Sequence, residues 1–370
     1  MRMTSRFWVV TMSTPKWPVM RLPGNTRAAS IRQQFSTPLN IEISQFGIDF
    51  IRHLDRYLAV DGEVPEIDFV ENGYLFLATD AGIATLEHNH AVQRALGVSV
   101  QLLTPGELRS RFDWLNVDDL AAGSLGLAGE GWFDAHALLQ GFRRKARSLG
   151  VAERFGEVIG LEQDGDRLTG VRLADGAFIG ADWVVNAAGA RAADLAALAG
   201  IDLPVRPRKR HVYHVEAPVS LGAAPLTIDP SGVYFRPEGP SYLCGFSPRD
   251  GVADPDTLDL AADRSAFESF AWPALAHRVP AFDRLRLLDT WDGHYEVNTL
   301  DANAIIGPHP SISNLLFANG FSGHGLQQAP AVGRGLAEWI VAGRYETLDL
   351  RPLGFDRVLR GEPLRELNIV

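Results

Sequence analysis

Asn314-Leu-Leu-Phe-Ala-Asn-Gly-Phe-Ser-Gly-His-Gly-Leu-Gln-Gln-Ala-Pro330 decides how this 370-residue chain is read. Leu315 to Ala318 is a short apolar run of the kind that forms a buried strand, and residues Gln327 to Val341 space their apolar positions as a helix does. Between them Gly320, Gly323 and Gly325 make a turn, with Gln327 and Gln328 in the helix's first turn. The unpaired N–H groups of such a terminus sum to about half a positive charge, which stabilises a negative group placed against it. The same glycines also suit a turn tightened for helix packing, and the residues alone leave both readings open. His324 by itself reads as structural.

A related unit lies upstream. Trp183 to Asn186 reads as a buried strand that runs into Ala187, Ala188 and Gly189 and then into a helix through Leu195 to Leu198. Small residues there admit a ligand close to the backbone, although such a run after a strand more often serves close packing. Two strands, Glu157 to Gln163 and Leu168 to Leu173, precede it, separated by Asp164-Gly-Asp and followed by Asp175-Gly as turn signals. Apolar spacing predicts one long helix over Pro38 to Leu58, a strand over Phe69 to Thr79, and helices over Ala81 to Leu96, Glu107 to Phe112 and Phe133 to Leu149. Thr104-Pro-Gly-Glu is a capping-box start, and Gly150 a left-handed stop. From Val205 to Asp292 strands and turns dominate (His211 to Val215, Gly232 to Arg236, Tyr242 to Phe246), with one helix between Leu258 and Val279. Arg6 to Val10 reads as a strand, and Pro15, Pro18, Pro23 and Gly24 stop anything regular from following it.

Composition narrows the function. Apolar residues at 46% and charged residues at 22% belong to a globular chain, and its length predicts two domains. A formal charge of −10 repels a phosphate backbone, so no nucleic-acid partner is expected. Cys244 is the only cysteine, which excludes an internal disulfide and a thiolate metal site, and no metal site is expected. His53, His88, His90 and His309 are scattered and read as surface or packing residues. No apolar run approaches the roughly 20 residues of a membrane span, and a cytoplasmic location is expected.

Four stretches, in order, carry a resemblance: Ala28-Ala-Ser-Ile-Arg-Gln-Gln-Phe-Ser36, Gly131-Trp-Phe-Asp-Ala-His-Ala-Leu138, Val184-Val-Asn-Ala-Ala-Gly-Ala190, and Ile305-Ile-Gly-Pro-His-Pro310 with the glycine tract that follows it. Together they resemble the FAD-dependent oxidoreductases of the D-amino-acid oxidase, glycine oxidase and sarcosine oxidase superfamily, over nearly everything from Ala28 to Gly343. The Gly-His-Gly-Leu-Gln-Gln-Ala-Pro run is similar to the subgroup containing a mitochondrial FAD-dependent oxidoreductase-domain protein implicated in respiratory complex I assembly. The resemblance implies an α/β plus β fold. In it a doubly wound FAD-binding domain (residues 1–60, 131–204 and 296–350, N-terminally incomplete) holds an inserted substrate domain with a mixed or antiparallel sheet (61–130 and 205–295). Residues 351–370 form a C-terminal tail.

It also implies non-covalent FAD, because the stretch Gly293-His-Tyr-Glu-Val-Asn-Thr-Leu-Asp301 lacks the cysteine through which sarcosine oxidases attach flavin. Ala187, Ala188 and Gly189 would lie beside the FAD phosphates or ribose. Gly320, Gly323, His324, Gly325, Leu326 and Gln327 would follow the flavin, whose N1 and C2-carbonyl edge becomes negative on reduction. Ser30, Arg32, Gln33 and Gln34 would sit on the loop over the flavin face. Tyr234 and Arg236 are the candidates to hold a substrate carboxylate, together with Arg32, Gln33 and His324; a guanidinium matches a carboxylate in plane. The alternative for Arg236 is a surface strand residue. The implied activity is oxidation of an amine or amino acid by hydride transfer to flavin N5. It needs no side-chain base when the amine arrives neutral, and no catalytic residue is assigned. A respiratory or other electron-carrier partner is compatible. The rival readings are a non-catalytic assembly or scaffold protein and a 2-hydroxy-acid dehydrogenase on the same fold.

One departure stands against these matches. The superfamily opens on a strand, a Gly-x-Gly-x-x-Gly turn and a helix that hold the pyrophosphate, then a second strand ending in an acid. The first glycine here is Gly24, and Thr11 and Met12 follow the strand where the acid belongs. A reading frame that begins further upstream, with an unrelated start to about Arg27, is expected rather than a short form that has lost flavin. As written, the chain is expected to purify colourless.

Overall fold

The computed structural model describes residues 7–10, 29–247 and 252–367; the proline-rich start read at residues 11–28 lies outside them. Three parallel strands, Phe7–Val10, Trp183–Asn186 and Leu315–Asn319, stand side by side in that order, with Ile305–Pro308 antiparallel at the far edge. Because Val184 pairs with Leu315 and Asn186 with Phe317, the two buried strands end together, and the turns that leave them open at the same edge of the sheet. That is the place where doubly wound sheets hold ligands. One face of this sheet (Val185, Leu316, Ile306) packs on the helix Gly325–Ala342 through Ala331, Val332 and Leu336. The other face (Val184, Leu315, Phe317) packs on Leu195, Leu203 and the three-stranded meander Val158–Asp164, Arg167–Leu173, Phe178–Gly180.

The second layer is an eight-stranded mixed sheet in the order Arg286–Asn298, Val205–Glu216, Ser241–Phe246, Val233–Glu238, Leu226–Ile228, Tyr74–Ala78, Ala122–Gly126, Val100–Leu103. Only Leu226–Ile228 against Tyr74–Ala78 is parallel. Alternation along its strands sorts the two faces. Tyr213, Phe235, Tyr242 and Cys244 enter a core with Phe267, Leu275 and Phe282, which leaves Tyr234, Arg236 and Leu243 on the opposite face. The α/β plus β class read from the sequence is the observed one, and the sheet is mixed.

Several local readings need correction. The long helix ends at Arg52 and restarts as Leu54–Leu58, because His53 leaves the helical region (φ −124°, ψ 43°) with its Nδ1 2.8 Å from the Asp49 carbonyl. The His53 N–H still donates to the Asp49 carbonyl (3.1 Å), so the break lies in the His53 backbone angles, which the continuing apolar spacing does not reveal. The strand predicted from Phe69 begins only at Tyr74, since Gly73 is left-handed (φ +78°) and lies so close to the Gly126 carbonyl that a Cβ would sit 2.2 Å from it. Strands Ala122–Gly126 and Arg286–Asn298 went unread, the first because Ala-Gly-Ser-Leu-Gly has little strand propensity, the second because its charges mask the alternation. The capping box at Thr104 and Glu107 is present.

The C-terminal segment packs on this frame. Arg357 is buried and reaches Asp301 through Nε (3.0 Å) and Nη2 (3.2 Å). The Glu366 carboxylate accepts from Ser36 N (2.7 Å) and Asn40 Nδ2 (2.6 Å) at the start of the helix Pro38–Arg52, where the helix's partial positive charge favours an anion. Among the described residues no helix is long and apolar enough to cross a membrane.

Candidate functional site

Residues 320–325 turn through three positive φ values, Gly320 (+70°), Ser322 (+51°) and Gly323 (+100°). Gly323 has a second reason to be glycine: a Cβ there would lie 2.3 Å from the Tyr295 ring. Ser322 Oγ donates to the Gly320 carbonyl (3.1 Å) and accepts from Asn298 N (3.1 Å), which pins the turn to the last residue of Arg286–Asn298. The helix then starts at Gly325 with His324 as a cap that makes no side-chain bond to it, leaving the first N–H groups without an intrahelical acceptor.

Glu296 closes the turn from the sheet side, its Oε2 accepting from Gly320 N at 3.2 Å. Burial pushes its carboxyl up to about 7, against the opposing pull of the Gly320 and Phe321 N–H groups. Between its ordinary 4.5 and that value the folded chain keeps a proton that the unfolded chain has released. The stability Glu296 confers therefore falls as pH rises through this window. A Gln, which cannot ionise, is expected to remove that slope. Thermal melts should show Glu296→Gln gaining on the parent between about pH 5 and about pH 8. Parallel curves would refute the assignment.

The loop 30–34 faces this turn. It is held at one side by strand Ser30–Ile31, paired with Gly131–Trp132, and at the other by Arg32 N donating to Gln327 Oε1 (2.8 Å). Glu130 anchors it from below. Its fully buried carboxylate accepts from Gln33 N (2.6 Å), Gln34 N (3.1 Å) and Gln34 Nε2 (2.9 Å). Gln34 in turn accepts from Ser124 Oγ (2.8 Å). Gly126 is small because Glu130 Oε2 lies 1.8 Å from where its Cβ would be. Burial raises the Glu130 carboxyl above the usual range.

Arg32 lies with its guanidinium 4.1 Å from the centre of the Phe35 ring and 3.1 Å from His324 Nε2, and it also bonds the Gln34 carbonyl. Since Arg can only donate, His324 Nε2 is the acceptor. Burial first, and Arg32 second, push the His324 imidazole down to about 3, so it is neutral across the working pH range.

Opposite stands the sheet face. Arg236 is 2% exposed, which removes the surface-residue alternative; it pairs with Glu238 and lies 5.1 Å from the centre of the Trp132 ring. The Tyr234 hydroxyl fills the space above Gly245, 2.5 Å from where a Cβ would be. Burial raises the phenols of Tyr74, Tyr234 and Tyr295, which keeps them protonated donors. Between loop, turn and sheet opens a cleft of about 740 Å³, counting its open mouth. Among the residues read from the sequence it brings together Ser30, Arg32, Tyr234, Arg236, Gly323, His324, Leu326 and Gln327.

The others stand apart from the lining. Gln33 and Gln34 belong to the Glu130 network, and Gly320 and Gly325 shape the turn. Ala187, Ala188 and Gly189 lie at the end of Trp183–Asn186, where Asn186 Oδ1 accepts from Ala188 N (3.1 Å) and from Asn319 Nδ2 (3.3 Å). Asn319 Oδ1, buried between the two strand ends, has no partner of its own. Sequence reasoning missed Tyr74, Tyr295, Glu130 and Glu296. A carboxylate set between two glycines, as in Gly129-Glu-Gly131, was the available signal for Glu130.

A flat ring would fit this arrangement. It would enter the cleft beside a glycine with no side chain, at a helix terminus with spare donors. For a dinucleotide's far end the described residues offer only the Ala187–Gly189 turn, and no Gly-x-Gly-x-x-Gly occurs anywhere in the sequence.

Comparison with known proteins gives the family and the fold. The profile of the family described as "FAD dependent oxidoreductase" matches residues 24–339. FAD-dependent oxidoreductase domain-containing protein 1 of Xenopus laevis is 43% identical over 376 residues, 93% of this chain and 75% of that protein. The crystal structure of L-proline dehydrogenase from P. horikoshii superposes with a TM-score of 0.80 at 27% identity, covering 92% of this chain and 89% of its own. Glycine oxidase from Geobacillus kaustophilus does so with 0.75 at 26%, covering 90% and 87%.

Proposed function

This chain belongs to the FAD-dependent oxidoreductase family, and from that premise we propose that it oxidises an amine or amino acid in the cleft between the glycine turn and the sheet face. The observation that carries the reading is the pair of buried guanidiniums, Arg32 and Arg236, lining one cleft that also touches the start of the helix Gly325–Ala342. Two solved structures of similar fold are named for amino-acid oxidation, which agrees with it.

FAD, when bound, would supply the two-electron acceptor for a hydride leaving the substrate α-carbon, the amine lone pair closing the C=N bond. Gly323, His324, Leu326 and Gln327 would lie along the ring, with Ser30 and Gln34 on the loop above it. Ala187, Ala188 and Gly189 would face the ribose and phosphates. The helix terminus would favour the negative charge that reduction brings.

The chain's own work is orientation. A guanidinium meets a carboxylate through two parallel N–H bonds, which fixes the α-carbon as well as the charge. His324 is neutral and the three phenols stay protonated, so these groups donate or accept hydrogen bonds without changing charge. Among the described residues no carboxylate lines the cleft, which matches a reaction whose amine arrives already neutral.

The test is anaerobic mixing of the FAD-loaded protein with glycine, sarcosine, proline and the matching 2-hydroxy acids. Bleaching of the flavin band by an amino acid, with the hydroxy acids inert, is the expected result. Bleaching by hydroxy acids alone would move the activity to a 2-hydroxy-acid dehydrogenase, and a loaded flavin that no amine reduces would end the enzymatic reading.

A further inference from the structure

Resting on that reading, we propose that Glu366 in the C-terminal segment is a positioning residue of the flavin site. It orders the helix start at the cleft and, as a buried anion behind that start, makes a bound flavin harder to reduce. The segment is fastened on both sides of this residue. Leu364 N donates to Asp301 Oδ2 (2.9 Å), the Leu364 carbonyl accepts from Asn303 Nδ2 (2.5 Å), and Leu367 N donates to Ser36 Oγ (2.8 Å). Between these points the Glu366 carboxylate, 7% exposed, accepts from Ser36 N (2.7 Å), Ser36 Oγ (2.5 Å), Thr37 N (3.2 Å) and Asn40 Nδ2 (2.6 Å).

From there the bonds run on to the helix start. Buried Asn40 accepts through Oδ1 from Gln328 Nε2 (3.2 Å), in the first turn of the helix Gly325–Ala342. The neighbouring Gln327 accepts from Arg32 N, and its carbonyl oxygen lies 2.6 Å from where a Gly47 Cβ would be, so the helix Pro38–Arg52 presses directly on that turn. The donors to Glu366 are amides and a hydroxyl, all neutral, so they hold its charge without cancelling it. Burial pushes the carboxyl up, but Ser36, Asn40 and Thr37 outweigh that and hold it below its ordinary range, ionised at neutral pH. Its charge acts on both Arg32 and His324, which line the cleft that Glu366 itself does not reach. A negative charge in a low-dielectric interior opposes electrons added nearby, against the pull of the helix terminus.

The test is the midpoint potential of the FAD-loaded protein, measured by dye-coupled reductive titration with no amine present, beside thermal melts. Glu366→Gln removes the charge and is expected to raise the potential by about 30 mV, a tenfold gain in the ratio of reduced to oxidised flavin for a two-electron couple. Glu366→Ala brings no amide NH2 against the Ser36 and Asn40 donors and should show the same rise. Glu366→Asp keeps the charge and gives up part of the bonding, so its ratio should stay within about twofold of the parent even where it melts earlier. A potential that both neutral variants leave unchanged, whatever their melting temperatures, reduces Glu366 to a clamp on the chain end and overturns the proposal. An equal rise in Glu366→Asp overturns it as well. Because no amine enters the measurement, either result is independent of whether amines reduce the flavin; a parent chain that takes up no FAD removes the proposal together with the reading beneath it.

Discussion

Replacing Gly323 by alanine is expected to abolish flavin retention at the cleft, with FAD affinity falling at least about a hundredfold and the fold losing roughly 1–3 kcal/mol. Two independent faults meet at this residue. Its φ of +100° is one that L side chains rarely adopt, and the added Cβ would lie 2.3 Å from the Tyr295 ring. Either the turn moves away from the helix start or Tyr295 is pushed into the space that a ring would occupy. Gly343→Ala separates the two effects. That glycine caps the other end of the same helix at φ +69°, with open space where the Cβ would go, so it carries backbone strain without the collision. Fluorescence titration with FAD, read beside thermal melts, should show Gly343→Ala losing stability alone and Gly323→Ala losing both. Unchanged FAD affinity in Gly323→Ala would mean that the turn does not touch the cofactor.

The second large effect is expected at Glu130, which no motif singled out. Its carboxylate is completely buried and accepts three N–H bonds from Gln33 and Gln34, so it fixes the path of the loop whose next outward residue, Arg32, enters the cleft. In Glu130→Gln the new amide can still accept from the two backbone N–H groups, but its own NH2 meets Gln34 Nε2, donor against donor. Gln34 can flip to relieve this and keep Ser124, whose hydroxyl accepts as well as donates, but only by giving up the Tyr74 carbonyl. Either way one buried polar group is left unpaired, which costs about 1–3 kcal/mol. Because Arg32 is aimed through this loop, KM for a carboxylate substrate should rise about tenfold while kcat changes less. A variant that melts like the parent with an unaltered KM would show that the loop is held by other means.

Where the sequence spoke clearly, the signal was local. Trp183–Asn186 was read with its observed bounds, and the strand, glycine turn and helix of residues 314–342 were read within two residues, because each is dictated by neighbours in the chain. Arg236 shows where such reading stops. Alternation along Val233–Glu238 places Tyr234 and Arg236 on one face, but only the assembled molecule reveals that this face is covered, and by what. Tyr74 and Tyr295 were invisible for the same reason. They reach the cleft through non-local pairing, Tyr74–Ala78 against Leu226–Ile228 and Arg286–Asn298 against Val205–Glu216, which no periodicity within a strand encodes. The single long helix over residues 38–58 failed on a smaller scale, where the His53 backbone leaves the helical region although the apolar face continues.

The account rests on the cleft beside Gly323 being the seat of the flavin ring. A crystal structure of the protein grown with excess FAD tests this most directly. The account predicts ring density between the turn 323–327 and the sheet face of Tyr234 and Arg236, with the ribose toward Ala187–Gly189. Density for FAD at any other surface, with this cleft filled by its own side chains, would contradict it.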